Sequence, residues 1–158
     1  MRQNCYNLNM SNCDELKKIT KARLKSAKTL MAAKDWHGAA YMLGYVLECA
    51  LKAVICKTLH LVEYPENTKN DKINLYFMTH RFEQLLLVSG LEDIFSSRGP
   101  AEVWKNWSDF ILKYPGDWPA MRYNLDLTWN KTNVKKLYSN LADSEHGIIT
   151  LIRKKKRW

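Results

Sequence analysis

Residues Trp36 to Leu59 read W-H-G-A-A-Y-M-L-G-Y-V-L-E-C-A-L-K-A-V-I-C-K-T-L, and their pattern decides the fold. Wound as a helix, Trp36, Ala39, Ala40, Leu43, Val46, Leu47, Ala50, Leu51 and Val54 fall in one stripe at i, i+3, i+4 spacing. The opposite side is hardly more polar, since Tyr41, Met42, Tyr45, Cys49, Ala53 and Cys56 occupy it. A helix apolar nearly all round belongs in the middle of a fold. Glu48 and Lys52 break the pattern one turn apart, on the side of Tyr41 and Tyr45. Charge taken out of water is costly unless paired. The pair is therefore either a structural i, i+4 ion pair or a polar site built into the core helix.

Working outward, Ser11 and Asn12 followed by Asp14 and Glu15 have the pattern of a capping box. Leu16, Ile19, Arg23, Ala27, Leu30 and Met31 then form the inner stripe of a first helix ending near Ala33, while Lys17, Lys18, Lys21, Lys25 and Lys28 crowd its other faces. Asp35 suits the N-cap of the core helix, and so short a link makes the two helices antiparallel neighbours. Downstream, Tyr64 to Lys72 reads as a surface loop. Thr79 suits the cap of a third helix through His80, Phe82, Leu85, Leu86 and Val88, stopped by Gly90. A fourth begins near Pro100 and carries Val103, Trp104, Trp107, Phe110 and Ile111. The aromatic, proline-broken segment Tyr114 to Trp129 reads as an irregular loop packed over the bundle. A last helix runs from about Thr132 through Val134, Leu137, Tyr138, Leu141, Ile148, Leu151 and Ile152 into the C-terminal basic run. Only Ile73 to Phe77 and Leu125 to Leu127 hint at strand. The expectation is an all-α protein, an antiparallel helical bundle of about five helices with a packed aromatic loop. Residues 1–13 form a flexible lead-in, 14–152 a single helical domain and 153–158 a basic tail.

The chain of 158 residues is 46% hydrophobic, enough for one domain with a real core. Of the net charge of +9, Arg153, Lys154, Lys155, Lys156 and Arg157 supply five positive charges. Such a tail attracts phosphate backbones and anionic surfaces without choosing among them, although a run like this is more often a solvated helix end. No uninterrupted apolar run reaches the ~18 residues of a membrane span, and the first residues lack an apolar signal core. Cys5, Cys13, Cys49 and Cys56 form no C-x-x-C pair, and the four histidines are scattered. Neither a zinc site nor a disulfide framework is indicated. The expected setting is soluble and cytoplasmic, with no cofactor, no metal and no membrane partner.

No nucleophile motif, phosphate-binding loop or dinucleotide fingerprint is present, and the six glycines stand singly. The order of several short patterns does carry a resemblance. A lysine-rich helix leads into A-A-Y-M-L-G-Y-V-L-E-C-A-L-K-A at Ala39 to Ala53. T-H-R-F-E-Q-L-L follows at Thr79 to Leu86, and R-Y at Arg122 and Tyr123. Over Leu24 to Tyr123 this resembles the HEPN domain.

The resemblance implies a helical bundle that forms homodimers and serves prokaryotic toxin–antitoxin or phage-defence systems, often beside a nucleotidyltransferase-type antitoxin. Many members are metal-independent ribonucleases that use an arginine a few residues ahead of a histidine; others bind nucleotides or lack catalysis. Here His37, His60, His80 and His146 all lack an arginine at that spacing. The expected function is therefore a nucleotide- or RNA-binding module without the usual ribonuclease motif. Its binding residues would be Glu48, Lys52, Tyr41, Arg81 and Tyr123: cations for phosphate, tyrosines for base stacking and Glu48 for a ribose or amino group. One alternative is a metal-independent endoribonuclease with a rearranged site, His80 and Arg122 being catalytic. A histidine would supply the near-neutral acid or base and the arginine a fixed cation. The other alternative is a non-catalytic protein-interaction module that docks a partner through the aromatic segment around Trp118. His80 and Arg122 also have an ordinary reading, as groups that satisfy Glu48 or loop carbonyls.

Overall fold

A computed structural model describes residues 12–65, 68–124 and 128–156. Most of the lead-in, the strand hint at 125–127 and the last two residues of the basic tail lie outside these. Helix α1 (Cys13–Ala32) starts at Asn12, whose side chain accepts the Glu15 N–H while the Glu15 carboxylate accepts the Asn12 N–H. Both ends of a capping box are thus made. The Asp35 carboxylate accepts the Gly38 N–H and opens α2 (Trp36–Thr58). Only Ala33 to Asp35 separate the two helices, and α1 lies along α2 as its most extensive partner.

Fifteen residues of α2 are buried, from Ala39 to Cys56, so the helix runs through the protein with neighbours on every side. By length and composition it is long and apolar enough to cross a membrane, even though Glu48 and Lys52 interrupt its apolar run. Yet 83% of its apolar window is packed inside the protein, as a core helix requires. Helices α4 (Phe82–Ser89), α6 (Lys131–Ala142) and α7 (Ile148–Lys156) pack on it, and α5 (Ala101–Ile111) closes the bundle against α6 and α7. The buried apolar residues form one cluster reaching from Leu16 to Ile152.

Among the described residues there is no strand beyond one isolated bridge between Asn12 and Glu63, and the helices are seven α-helices and one 3-10 helix rather than about five. Three local features account for the difference. First, the segment read as loop and weak strand contains α3 (Asp71–Phe77), started by the Asn70 side chain accepting from Lys72 and Ile73. Second, the last helix is split. The Asp143 carboxylate accepts the N–H groups of Glu145 and His146, and a Cβ on Gly147 would lie 2.5 Å from the Asp143 carbonyl oxygen. This tight turn ends α6 and admits only glycine before α7.

Third, the aromatic segment is not wholly irregular. Trp118–Tyr123 form a 3-10 helix with Pro119 in its first turn. It is held by Trp118, which is fully buried against α2 where Gly44 leaves room. A further adjustment concerns α4. Thr79 does not cap it; the Thr79 hydroxyl accepts the Arg81 N–H, Arg81 takes the N-cap position, and the helix begins at Phe82. Gly90, in the left-handed region at φ 69°, ends it as expected.

Candidate functional site

Tyr41, Tyr45, Glu48 and Lys52 follow one another on α2 at spacings of three or four residues, so they share one face. That face is not fully covered. An open cleft of about 490 Å³ lies over it. Leu16, Ile19 and Arg23 of α1 form one wall. Met42, Tyr45, Glu48, Cys49 and Lys52 of α2 form the floor, and Tyr64 and His80 close the sides. Its size is within the range of small-molecule sites, about 300–1,000 Å³.

Glu48 is the centre of the charge arrangement. Its side chain keeps only 4% of its surface exposed, yet its oxygens lie 3.0 Å from Lys52 Nζ and 2.9 Å from His80 Nδ1. Burial pushes the Glu48 pKa up, but the hydrogen bond from His80 and the Lys52 charge outweigh it and hold the carboxyl below its ordinary range. The carboxylate is therefore ionised and His80 Nδ1 carries the donated proton. In return, that hydrogen bond raises the His80 pKa against the opposing effect of burial, with the Glu48 charge adding to the rise. Lys52 is also buried, with 8% of its side chain exposed, and sits 4.9 Å over the Tyr64 ring. Tyr64 is anchored in turn by donating from its hydroxyl to the Phe77 carbonyl. One carboxylate thus pairs with two groups that are cationic or can become so, Lys52 and His80, and the exposed Arg23 lines the same cleft.

A second arrangement joins this floor to the surface. The hydroxyls of Tyr41 and Tyr45 lie 3.2 Å apart, and Arg122 Nη1 donates to the Tyr41 hydroxyl at 3.4 Å. Burial first, then the contact with Tyr41, pushes the Tyr45 pKa up to about 12, so this phenol stays neutral. Trp118 lies beneath both tyrosines, with ring centroids 5.6 and 4.9 Å away, stacks on Phe82 and meets the edge of His80. This indole is fully buried and supports the two tyrosines from below.

Among the residues expected from sequence, Glu48, Lys52 and His80 converge in the cleft. Tyr41 reaches it through Tyr45. Arg81 lies on the far side of His80, lining a recess of about 60 Å³ with Tyr114, Gly116 and Trp118. Arg122 bonds Tyr41 rather than Glu48 and lies over the Tyr123 ring at 4.7 Å. Tyr123 itself is 78% exposed, outside the cleft. Trp118, at the centre of the aromatic segment suggested for docking a partner, is itself fully buried.

Arg23, Tyr45 and Tyr64 line the site without having been singled out for it. Arg23 did leave a signal, as a charged residue in the inner stripe of α1; Tyr64, in a stretch read as loop, left none. Among the described residues, no three His, Cys, Asp or Glu side chains gather as metal ligands would. Compared with protein-family models, curated proteins and solved structures, the chain finds no match.

Proposed function

We propose that the protein is a HEPN-like helical module whose α1–α2 cleft binds a nucleotide, free or as a unit of RNA. The observation that carries this reading is the convergence of Glu48, Lys52 and His80 in an open cleft walled by Arg23. Glu48 and Lys52 are almost wholly buried, yet both line this cleft. Arg23 and the outer nitrogen of His80 are suited to phosphate oxygens through charge-assisted hydrogen bonds. Tyr45, Met42 and Ile19 offer an apolar wall to a base. Glu48 accepts from His80 and Lys52 but retains lone pairs for a ribose hydroxyl.

By the same resemblance we assign the module to a homodimer in a cytoplasmic defence or toxin–antitoxin setting, with a nucleotidyltransferase-type antitoxin as its partner. Thermal-shift measurements with nucleoside mono-, di- and triphosphates test the cleft reading. A rise in melting temperature that Arg23→Gln diminishes supports it, and no rise with any of them refutes it.

A second reading has its own observation. A buried carboxylate holding the inner nitrogen of a half-exposed histidine leaves the outer nitrogen available for general acid–base work. That geometry favours metal-independent RNA cleavage. Arg122 would act there only through Tyr41 and Tyr45. RNA cleavage in the presence of chelator, lost in His80→Ala and Arg122→Ala, would establish this reading over simple binding.

A further inference from the structure

Between Leu16 and Lys34 the chain carries seven cationic side chains and no carboxylate, and α6 adds three lysines with no carboxylate. Lys17 is paired with Asp14 and Lys136 with Asp109. Lys18, Lys21, Lys25, Lys131 and Lys135 are exposed, and none has an ion-pair partner among the described residues. On α1, Lys18, Lys21, Lys25 and Lys28 follow one face and climb ~15 Å along the axis. On α6, Lys131, Lys135 and Tyr138 share a face at i, i+4 and i+7. Lys28 joins the two, its Nζ lying 5.5 Å over the Tyr138 ring. The cleft belongs to another side of α1, the one that presents Leu16, Ile19 and Arg23.

We propose that this α1–α6 face is a second binding surface, separate from the cleft, which holds the phosphate backbone of a nucleic acid. Uncompensated lysines one helical turn apart repel one another weakly, and a regularly spaced polyanion laid across them turns that repulsion into attraction. A membrane surface is the other polyanion to weigh. Interfacial binding needs apolar side chains beside the charges, and none of the exposed large hydrophobic residues lies on α1 or α6. The inference does not depend on what the cleft binds.

The test is fluorescence anisotropy of a labelled oligouridylate with the full chain, repeated over a range of salt concentrations. The variant Lys21→Gln/Lys25→Gln/Lys135→Gln should bind at least about tenfold more weakly, and its salt slope should be shallower by about two, at ~0.7 for each lost phosphate contact. All three side chains are exposed, so the melting temperature should be kept. Should it fall, single Lys21→Gln and Lys25→Gln variants replace the triple one, each lowering the slope by ~0.7. A Lys154→Gln/Lys155→Gln variant compares the C-terminal run and should have the smaller effect. Wild-type affinity and slope in the α1–α6 variants would overturn the proposal. So would loss of binding only in the C-terminal variant, or binding to anionic-lipid vesicles without binding to RNA.

Discussion

His80 donates from Nδ1 to the carboxylate of Glu48 at 2.9 Å, tying the turn ahead of α4 to the middle of the most buried helix. Glu48 also holds Lys52, so one carboxylate satisfies two cations from two parts of the chain. The first consequence is energetic. Removing the carboxylate takes an ion-pair partner from Lys52, whose side chain is largely buried. Glu48→Ala should cost about 3–5 kcal/mol, as removal of one partner from a buried pair does. Lys52→Met should cost less, because Glu48 keeps His80. Chemical denaturation of both variants measures the contrast, and equal losses would contradict it.

The second consequence concerns pH. The folded pKa of Glu48 lies below its ordinary value of 4.5, so its contribution is present above that value and fades as pH falls through the folded pKa. The folded pKa of His80 lies above its ordinary value of 6.5, so its contribution is present below that value and fades as pH rises through the folded pKa. The pairing therefore stabilises most between these limits. The difference in melting temperature between wild type and His80→Gln should peak in that interval and shrink on both sides. Because His80 is half exposed, solvent keeps the effect modest. A difference that grows toward alkaline pH would disprove the pairing.

Gly44 sets the seat of the 3-10 helix. A Cβ there would stand 2.7 Å from Trp118 Cε3, and the indole is too tightly enclosed to step aside. Gly44→Ala should cost about 1–3 kcal/mol, the usual penalty of overpacking. It should also alter the tryptophan fluorescence of the folded state. Unchanged stability and emission would mean that Trp118 is not locked against α2.

How much of this could be read from residues alone varied with how local the cause was. The core helix was legible because a segment apolar on all faces has only one place to go. The capping residues Asn12 and Asp35 and the terminator Gly90 act within a few residues of themselves, and they were legible too. The pairing of His80 with Glu48 could be anticipated as an ordinary way to satisfy a buried charge. The break between α6 and α7 was hidden because Leu141 and Ile148 are seven residues apart, a separation that keeps the apolar stripe in phase through an unbroken helix. Arg122 was expected beside Glu48, but its contact with Tyr41 depends on how Trp118 seats the 3-10 helix, which no local pattern encodes. Tyr64 contributes through a ring that a loop carries back under Lys52, a purely tertiary effect.

Tyr45 links the cleft to Arg122 through Tyr41. Tyr45→Phe deletes one hydroxyl while leaving the ring contacts with Trp118. If the apolar wall holds a base, nucleotide affinity in this variant should change by no more than a few fold, as loss of one hydrogen bond worth about 1 kcal/mol predicts. Tyr45→Ala should reduce it much further. Calorimetric titration separates the two, and equal losses would place the hydroxyl, not the ring, against the ligand.

The most direct test follows the His80 imidazole by NMR while a nucleoside monophosphate is added. The account predicts that its resonances shift on binding and that its pKa rises further as phosphate approaches the outer nitrogen, with both effects weakened by Arg23→Gln. Resonances and pKa that stay fixed up to saturating nucleotide would contradict it.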